Sequence, residues 1–220
     1  MRSKRTVGIV SWLVTLVALF SLYLALVGLP PRVDPRPHRA LGETVAKEAL
    51  KLLGSGGRLM LISRDTTVFR NSAADFQIQQ FHKTIQKAGA KVATTNLIKL
   101  DPLRLATVPA GDFFQLAKKA SEADVIVSFI SPPSLAVEQL ARLGDKRPKV
   151  IAVCTGNAPS QVNLKRILEE QMMNVAVISR KDVPATPPSS DSPQAWFDYL
   201  FRVVTPATAP ELLTQMTTQP

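Results

Sequence analysis

Residues that commonly carry chemistry are scarce in this sequence. It contains one cysteine, Cys154, and two histidines, His38 and His82. A single cysteine excludes a framework of intrachain disulfides. Neither histidine has cysteine or carboxylate partners at the spacing that metal ligands show, so we predict no metal site.

Signatures of nucleotide binding and of common enzyme classes are also missing. The loop after the first predicted strand, residues 63–75, contains no glycine, which excludes a dinucleotide fingerprint and a phosphate-cradling loop. No Gly-x-Ser-x-Gly elbow of a serine hydrolase occurs. A receiver-type phosphorylation site would need an acidic residue where Ser131 stands. We therefore predict no cofactor and favour a protein that is not an enzyme.

Acidic residues are outnumbered, since 17 Asp and Glu stand against 27 Lys and Arg, and the formal net charge is +10. The first 39 residues hold six basic residues and one acidic residue, a net charge of +5. The basic residues lie on both sides of an apolar segment. Basic residues in that position contact anionic lipid headgroups. The remainder has no Lys/Arg run with interleaved aromatic residues, so we expect no nucleic-acid binding.

Residues 7–29 contain no charge. At about 1.5 Å of rise per residue, a helix of this length crosses a hydrocarbon core about 30 Å thick. Trp12 and Tyr23 suit the two interfaces. We expect contact with membrane lipid through this segment, acting as a single-pass signal anchor, with a cytoplasmic N-terminus and an extracytoplasmic (periplasmic) main domain. A cleaved signal peptide is the alternative, for which Leu26 and Gly28 make a poor cleavage site.

Composition divides the chain into segments. They are a basic N-terminus (1–6), a transmembrane helix (7–29), a Pro-rich linker (30–40), an α/β domain (41–181), a second linker (182–192), a C-terminal helix (193–204) and a flexible tail (205–220). The C-terminal helix carries Trp196, Phe197, Leu200 and Phe201 on one stripe. This stripe either covers the sheet or docks a partner, which would be a second copy of the chain or an envelope protein.

The α/β domain is organised around residues 124–131, Asp-Val-Ile-Val-Ser-Phe-Ile-Ser. A continuous apolar run rich in β-branched residues is typical of a strand buried on both faces, inside a parallel sheet. Ser131, followed by Pro132 and Pro133, predicts the cap and first turn of the next helix.

Four further apolar runs, at 58–63, 91–97, 149–154 and 174–179, alternate with amphipathic helical patterns. Strands that alternate with helices imply right-handed crossovers. The sequence thus predicts an α/β fold with a doubly wound, five-stranded parallel sheet.

Ligands of open parallel sheets bind beyond the carboxyl ends of the strands. This rule selects Arg64, Asp65, Thr66, Ser131, Thr155, Asn157 and Arg180 as candidate ligand-binding residues. Arg64 and Asp65 form either a pair that recognises a polar solute or an ion pair within the loop that adds little stability. A hydrolase or transferase using Asp65 or Cys154 is the enzymatic alternative, although a buried, inert thiol is the favoured interpretation of Cys154.

Three segments resemble a known family. Asn-Ser-Ala-Ala-Asp-Phe at 71–76, Ile-Gln-Lys-Ala-Gly-Ala-Lys-Val at 85–92 and Asp-Val-Ile-Val at 124–127 are similar to one lobe of the type I periplasmic binding proteins and the sugar-binding regulators related to them. The resemblance implies a solute-binding lobe with the flavodoxin-like strand order 2-1-3-4-5. We expect no second lobe after Arg180, hence no two-lobed clamp within one chain.

The leading hypothesis is a membrane-anchored, non-enzymatic binding module. Its carboxyl-end loops would hold a small polar ligand or a partner protein, and dimerisation would supply the missing wall of the cleft. A structural role in an envelope complex is the alternative outside the enzyme class.

Overall fold

The computed structural model describes residues 2–27, 33–67, 71–99, 107–132, 135–156 and 163–210. The chain forms two compact units, Met1–Val33 and Asp34–Pro220.

The first unit is a single described helix, α1 (Arg2–Val27). Its large apolar side chains between Ile9 and Tyr23 are exposed. Within the described residues, no helix combines the length and the apolarity needed to cross a membrane. The predicted span 7–29 is therefore not confirmed, and its last two residues, 28 and 29, lie outside the described residues. The basic residues predicted as a separate N-terminus belong to α1.

The second unit opens with α2 (Pro35–Leu52). The prediction of an extended linker over 30–40 is wrong from Pro35 onward. Asp34 caps the helix, its carboxylate accepting a hydrogen bond from the Arg36 N–H at 2.9 Å. Because the first residues of a helix have no partner for their N–H groups, proline in the first turn costs no hydrogen bond. The proline-rich sequence thus starts a helix there.

The other elements follow in alternation. They are β1 (Leu59–Arg64), α3 (Ser72–Lys87), β2 (Val92–Ile98), α4 (Ala110–Lys118), β3 (Val125–Ser128), α5 (Val137–Leu143), β4 (Lys149–Cys154), α6 (Leu164–Glu169), β5 (Val175–Ser179), α7 (Pro193–Leu200) and β6 (Phe201–Val204). The described strands form one six-stranded sheet in the order β2-β1-β3-β4-β5-β6. The first five strands are parallel, as predicted, and β6 runs antiparallel to β5.

Strand β3 lies in the middle of this sheet, as its apolar sequence predicts. All four of its residues are buried, and Val127 pairs with Leu61 of β1 on one side and Ile151 of β4 on the other. Just beyond the strand, the N–H of the half-buried Phe129 donates to Ile62 O of β1 at 2.9 Å. The strand that organises the domain is therefore paired on both sides.

Apolar clusters cover both faces of the sheet. On one face, Leu61 and Val127 pack with Leu41 of α2 and Phe81 of α3. On the other face, a second cluster joins residues of α4 and α6 to the alternate strand residues, including Met60 and Ile126. This is the arrangement of a doubly wound α/β fold, since successive strand side chains enter opposite core layers.

The predicted C-terminal helix over 193–204 is wrong in its last four residues. Helix α7 ends at Leu200, and Phe201–Val204 forms β6, which pairs with β5 through Ser179↔Phe201 and Ala176↔Val204. Trp196, Phe197 and Phe201 are buried in the core, so the aromatic stripe covers the sheet.

The predicted start of the helix after β3 also differs. Ser131 does not cap the helix after β3, because α5 begins at Val137, while residues 133–134 lie outside the described residues. Helix α3 is capped by Asn71, whose side chain accepts from the Ala74 N–H at 3.1 Å. Helix α6 begins at Leu164, and the side chain of Asn163 caps it by accepting from the Arg166 N–H at 3.0 Å.

Candidate functional site

The carboxyl ends of the parallel strands form one edge of the sheet. Strand β1 lies between β2 and β3, so the connections that leave β1 and β3 diverge from this point. In open α/β sheets, such a switch point leaves a crevice at the carboxyl edge. The predicted residues Arg64, Asp65, Thr66, Ser131, Thr155 and Arg180 follow β1, β3, β4 and β5 along this edge, whereas Asn157 lies outside the described residues.

Arg64 is the last residue of β1 and lies beside Ile98 of β2. It is half-buried, and within the described part of the chain its guanidinium makes no hydrogen bond or ion pair. The expected pair with Asp65 does not form there. Among the described residues, therefore, nothing occupies the guanidinium donors of Arg64 at the switch point.

Asp65 is engaged within its own loop. One carboxylate oxygen accepts from the Thr67 N–H at 3.0 Å and from the Thr67 hydroxyl at 2.7 Å. These bonds, aided by the charge of Lys99, hold the pKa of Asp65 below its ordinary value. The two hydrogen bonds to Thr67 hold the turn after β1, so Asp65 shapes the loop.

Thr66 joins this loop to the first turn of α3. Its hydroxyl donates to the Asp75 carboxylate at 3.4 Å, while the Asp65 N–H donates to Ile98 O at 2.9 Å. The loop after β1 is thus attached on both sides, to α3 and to β2.

Ser131 is buried, with 3% of its surface exposed. Its hydroxyl lies 3.4 Å from Pro132 O, and its carbonyl accepts from the Ser128 hydroxyl at 2.8 Å. These contacts close the turn after β3. Ser131 therefore stabilises the turn at this edge of the sheet.

Thr155 and Gly156 follow β4. Thr155 is half-buried, and the Gly156 N–H donates to the Ser179 hydroxyl of β5 at 3.3 Å. Gly156 has φ +65°, which a residue with a Cβ rarely adopts. The backbone thus turns sharply here, directly after the strand.

Arg180 is engaged elsewhere. Its guanidinium donates to Asp182 at 2.8 Å and to Asp198 O at 2.7 Å, and its N–H donates to Leu200 O at 2.8 Å. The Arg180 hydrogen bonds lower the pKa of Asp182. Arg180 therefore ties β5 to the end of α7, and its donors are already used.

The candidate nucleophile Cys154 is completely buried. Its thiol lies 3.7 Å from Ala152 O, and burial raises the pKa of the Cys154 thiol far above its ordinary value. A thiol that remains protonated is a poor nucleophile. Among the described residues, no cluster of His, Cys, Asp and Glu could hold a metal ion.

Of the residues that line a groove of about 800 Å³, the sequence singles out Arg180 as a candidate ligand contact and Phe197 and Phe201 as part of the C-terminal aromatic stripe. The groove lies between α2 and the segment formed by α7 and β6. Lys47 and Lys51 lie one helical turn apart on the polar face of α2, and this spacing can be read from the sequence. No signal marks Arg202, because it lies in the predicted helix.

No model of a known protein family matches the chain, and no curated protein sequence matches it. Solved structures do match. The chain is similar to AraP, an arabinose-binding protein from Geobacillus stearothermophilus, with TM-score 0.50 and 17% identity over 79% of this chain and 62% of that one. It is also similar to a carbohydrate transporter solute-binding protein from Agrobacterium radiobacter, solved with D-arabinose, with TM-score 0.49 and 12% identity over 85% and 64%.

A third similar structure is GanP, a glucose-galactose binding protein from Geobacillus stearothermophilus, with TM-score 0.44 and 10% identity over 81% of this chain and 62% of that one. The chain therefore spans about three-fifths of the length of these proteins. The fold is that of the type I periplasmic binding proteins, as the resemblance in the sequence implies.

Proposed function

We propose that the chain is a non-enzymatic binding module that holds a small polar ligand, in the first place a monosaccharide, at the carboxyl edge of its sheet. The fold supports this proposal, because AraP, a structure to which the chain is similar, is an arabinose-binding protein. In such sheets the ligand lies outside the carboxyl ends of the strands at the switch point.

The observation that carries the proposal is the state of Arg64. It ends the strand at the switch point, and its guanidinium is unengaged within the described residues. A guanidinium offers five donors in a fixed fork, which suits hydroxyl and carboxylate oxygens of a polar ligand. The hydroxyls of Thr66 and Thr155 lie along the same edge. Ser131, Asp65 and Arg180 serve in the proposal as supports of the loops rather than as contacts.

The proposed site has one wall in the described residues. We propose that a second copy of the chain supplies the opposite wall. A site shared between two proteins would bind its ligand only in the assembled state. Ligand addition would then increase the fraction of dimer, because a ligand stabilises the state that binds it.

Membrane attachment through residues 7–29 is part of the same proposal, with the N-terminus in the cytoplasm and the binding domain on the other side. The support comes from the uncharged sequence of 23 residues and from the exposure of the described apolar side chains of α1, such as Trp12 at 72% and Phe20 at 63%. An exposed apolar area of this size marks a surface that contacts a membrane or another protein.

A thermal-shift screen tests the binding proposal. The full chain, purified in a non-ionic detergent, is incubated with pentoses, hexoses, amino acids and nucleosides. A ligand at one hundred times its Kd adds about 2.7 kcal/mol to the free energy of unfolding, which raises the Tm by several degrees. We expect this response from a sugar. A Tm that stays constant with every compound contradicts the small-molecule function.

A further inference from the structure

Arg64 has no counter-ion in the described part of the chain. It ends β1 beside Ile98 of β2, an apolar residue that packs against the core. Arg64 is half-buried, and its guanidinium makes no hydrogen bond or ion pair with a described residue. A cation that is partly removed from water is stabilised when it gains an anionic partner. The protein therefore presents an uncompensated positive charge at the switch point.

The neighbouring carboxylate of Asp65 does not neutralise this charge. One oxygen of Asp65 accepts two hydrogen bonds from Thr67. The cation that helps to lower the pKa of Asp65 is Lys99, which follows β2, and not Arg64. The charge of Asp65 is thus matched by Lys99, and Arg64 is left without a partner.

Two other carboxylates along this edge are engaged as well. Asp75, in the first turn of α3, holds the loop after β1 through a hydrogen bond of 3.4 Å. Asp182, after β5, is shared by Arg180 and Arg202 at 2.8 and 2.6 Å. Neither carboxylate forms an ion pair with Arg64 in the described ranges. An anionic group of a ligand would meet no competing carboxylate on this guanidinium.

A carboxylate is the group that fits a free guanidinium best. The paired N–H donors of the planar fork match the two carboxylate oxygens, and such a charge-assisted pair is about twice as strong as a pair of neutral groups. The hydroxyls of a neutral sugar also accept hydrogen bonds, but they leave the charge of Arg64 without a counter-ion. A sugar acid combines ring hydroxyls and a carboxylate in one molecule.

We propose that the site at the carboxyl edge selects an acidic monosaccharide, a uronate, whose carboxylate binds the guanidinium of Arg64. This inference rests on the proposed function, because it takes a monosaccharide as the ligand, and it adds the class of that sugar. Arg64 is then the residue that determines specificity, since its charge distinguishes a uronate from the neutral sugar with the same ring.

Titration calorimetry of the full chain in non-ionic detergent tests the preference with matched sugars. Galacturonate is compared with galactose, and glucuronate with glucose, because each pair differs only at the carbon outside the ring. The methyl esters of both acids are further probes, since they keep the ring and the carbonyl but have no charge. We expect at least one uronate to bind at least tenfold more tightly than its neutral partner and its ester.

The outcomes separate this inference from the function on which it rests. If a neutral sugar binds as tightly as its uronate, the preference is overturned and the binding function stands. If the methyl ester binds as tightly as the acid, charge is not what Arg64 reads, and the inference is again overturned. If none of the sugars binds, both the inference and the proposed function are wrong.

Substitution of the arginine locates the preference. In Arg64→Gln, which keeps polar donors but removes the charge, we expect the uronate to lose at least tenfold in affinity and to bind like the neutral sugar. Arg147→Gln is the matched control, because it removes a half-buried arginine at the amino edge of the sheet, and it should leave the affinity unchanged. A uronate affinity that stays at the wild-type value in Arg64→Gln, or falls equally in both variants, contradicts the assignment to Arg64.

Discussion

Arg58 and Asp124 join the amino ends of two neighbouring strands, β1 and β3. The Asp124 carboxylate accepts from the Arg58 N–H at 2.7 Å, from the Arg58 guanidinium at 2.8 Å and from the Ser121 N–H at 2.8 Å. Its side chain is 2% exposed. The Val125 N–H in turn donates to Arg58 O at 2.9 Å. One buried carboxylate beside β3 thus satisfies the donors of Arg58, next to β1, and of Ser121 in the preceding turn.

We predict that Asp124→Asn destabilises the domain by roughly 3 kcal/mol, because the amide has one acceptor in place of two and leaves Arg58 without its counter-ion. Urea unfolding monitored by circular dichroism measures the change. Asp145→Asn is the matched control, since Asp145 is exposed, and it should unfold like the wild type. An Asp124→Asn midpoint equal to that of the control contradicts the role given to this carboxylate.

Stability should fall in acid through the same group. Its hydrogen bond from Arg58, followed by those from the Ser121 and Arg58 N–H groups, holds the pKa of Asp124 well below its usual range. In the unfolded chain an aspartate has a pKa of about 3.9. The contribution of Asp124 is therefore complete above that pH and is lost as the pH falls towards the folded-state pKa.

Urea midpoints measured between pH 2 and pH 7 check this prediction. The wild type should lose stability steeply below about pH 4, and Asp124→Asn should lose less over the same interval. Parallel curves for the two proteins would show that Asp124 is not the responsible group.

Helices α2 and α3 approach closely at Gly42. A Cβ at this position would overlap the backbone carbonyl of Gln77. We predict that Gly42→Ala destabilises the domain by about 3 kcal/mol, because backbone cannot move aside as a side chain can. Gly111→Ala in α4 meets no atom within 4 Å and should cause no loss in the same urea assay. Equal midpoints for the two variants contradict the close approach.

The proposed topology makes a separate prediction. A compartment-sensitive reporter fused after Pro220 should be active only in its extracytoplasmic form. The full chain should also remain in the membrane pellet after washing at alkaline pH, because its attachment is apolar and not ionic. Release into the supernatant, or activity of the cytoplasmic form of the reporter, contradicts the proposed anchor.

Four of the parallel strands, β1, β3, β4 and β5, were predictable because each is a short apolar run that the fold buries on both faces. The predicted bounds of β4 equal the observed Lys149–Cys154. In a half-exposed strand the apolar signal of the sequence is weaker. Strand β2, at the edge of the sheet, is such a case, because three of its residues are half-buried and the others are exposed.

The errors have tertiary causes. No glycine or proline that would end the helix occurs between Gln194 and Val204. Val204 also continues the helical spacing of the apolar stripe. Pairing of Phe201–Val204 with β5 overrides that local preference, because it satisfies backbone N–H and C=O groups along the outer side of β5. At the other end of the domain, Asp34 converts a proline-rich segment into a helix start.

The positions of the candidate site residues were predictable, since residues after parallel strands must lie at one edge. Their engagement was not. Arg180 is occupied by Asp182 and by the carbonyl of Asp198, and Ser131 by its own turn. These contacts depend on the three-dimensional course of the chain, and the sequence contains no local sign of them.

Binding of a sugar at Arg64 is the central claim, and titration calorimetry of the full chain tests it most directly. Arg147→Ala is the matched control, because Arg147 is half-buried and precedes β4 at the opposite edge of the sheet. The account predicts a measurable Kd for at least one monosaccharide, an affinity at least tenfold weaker in Arg64→Ala, and an unchanged affinity in Arg147→Ala. Sugar binding that is equally strong in Arg64→Ala and the wild type would contradict the account.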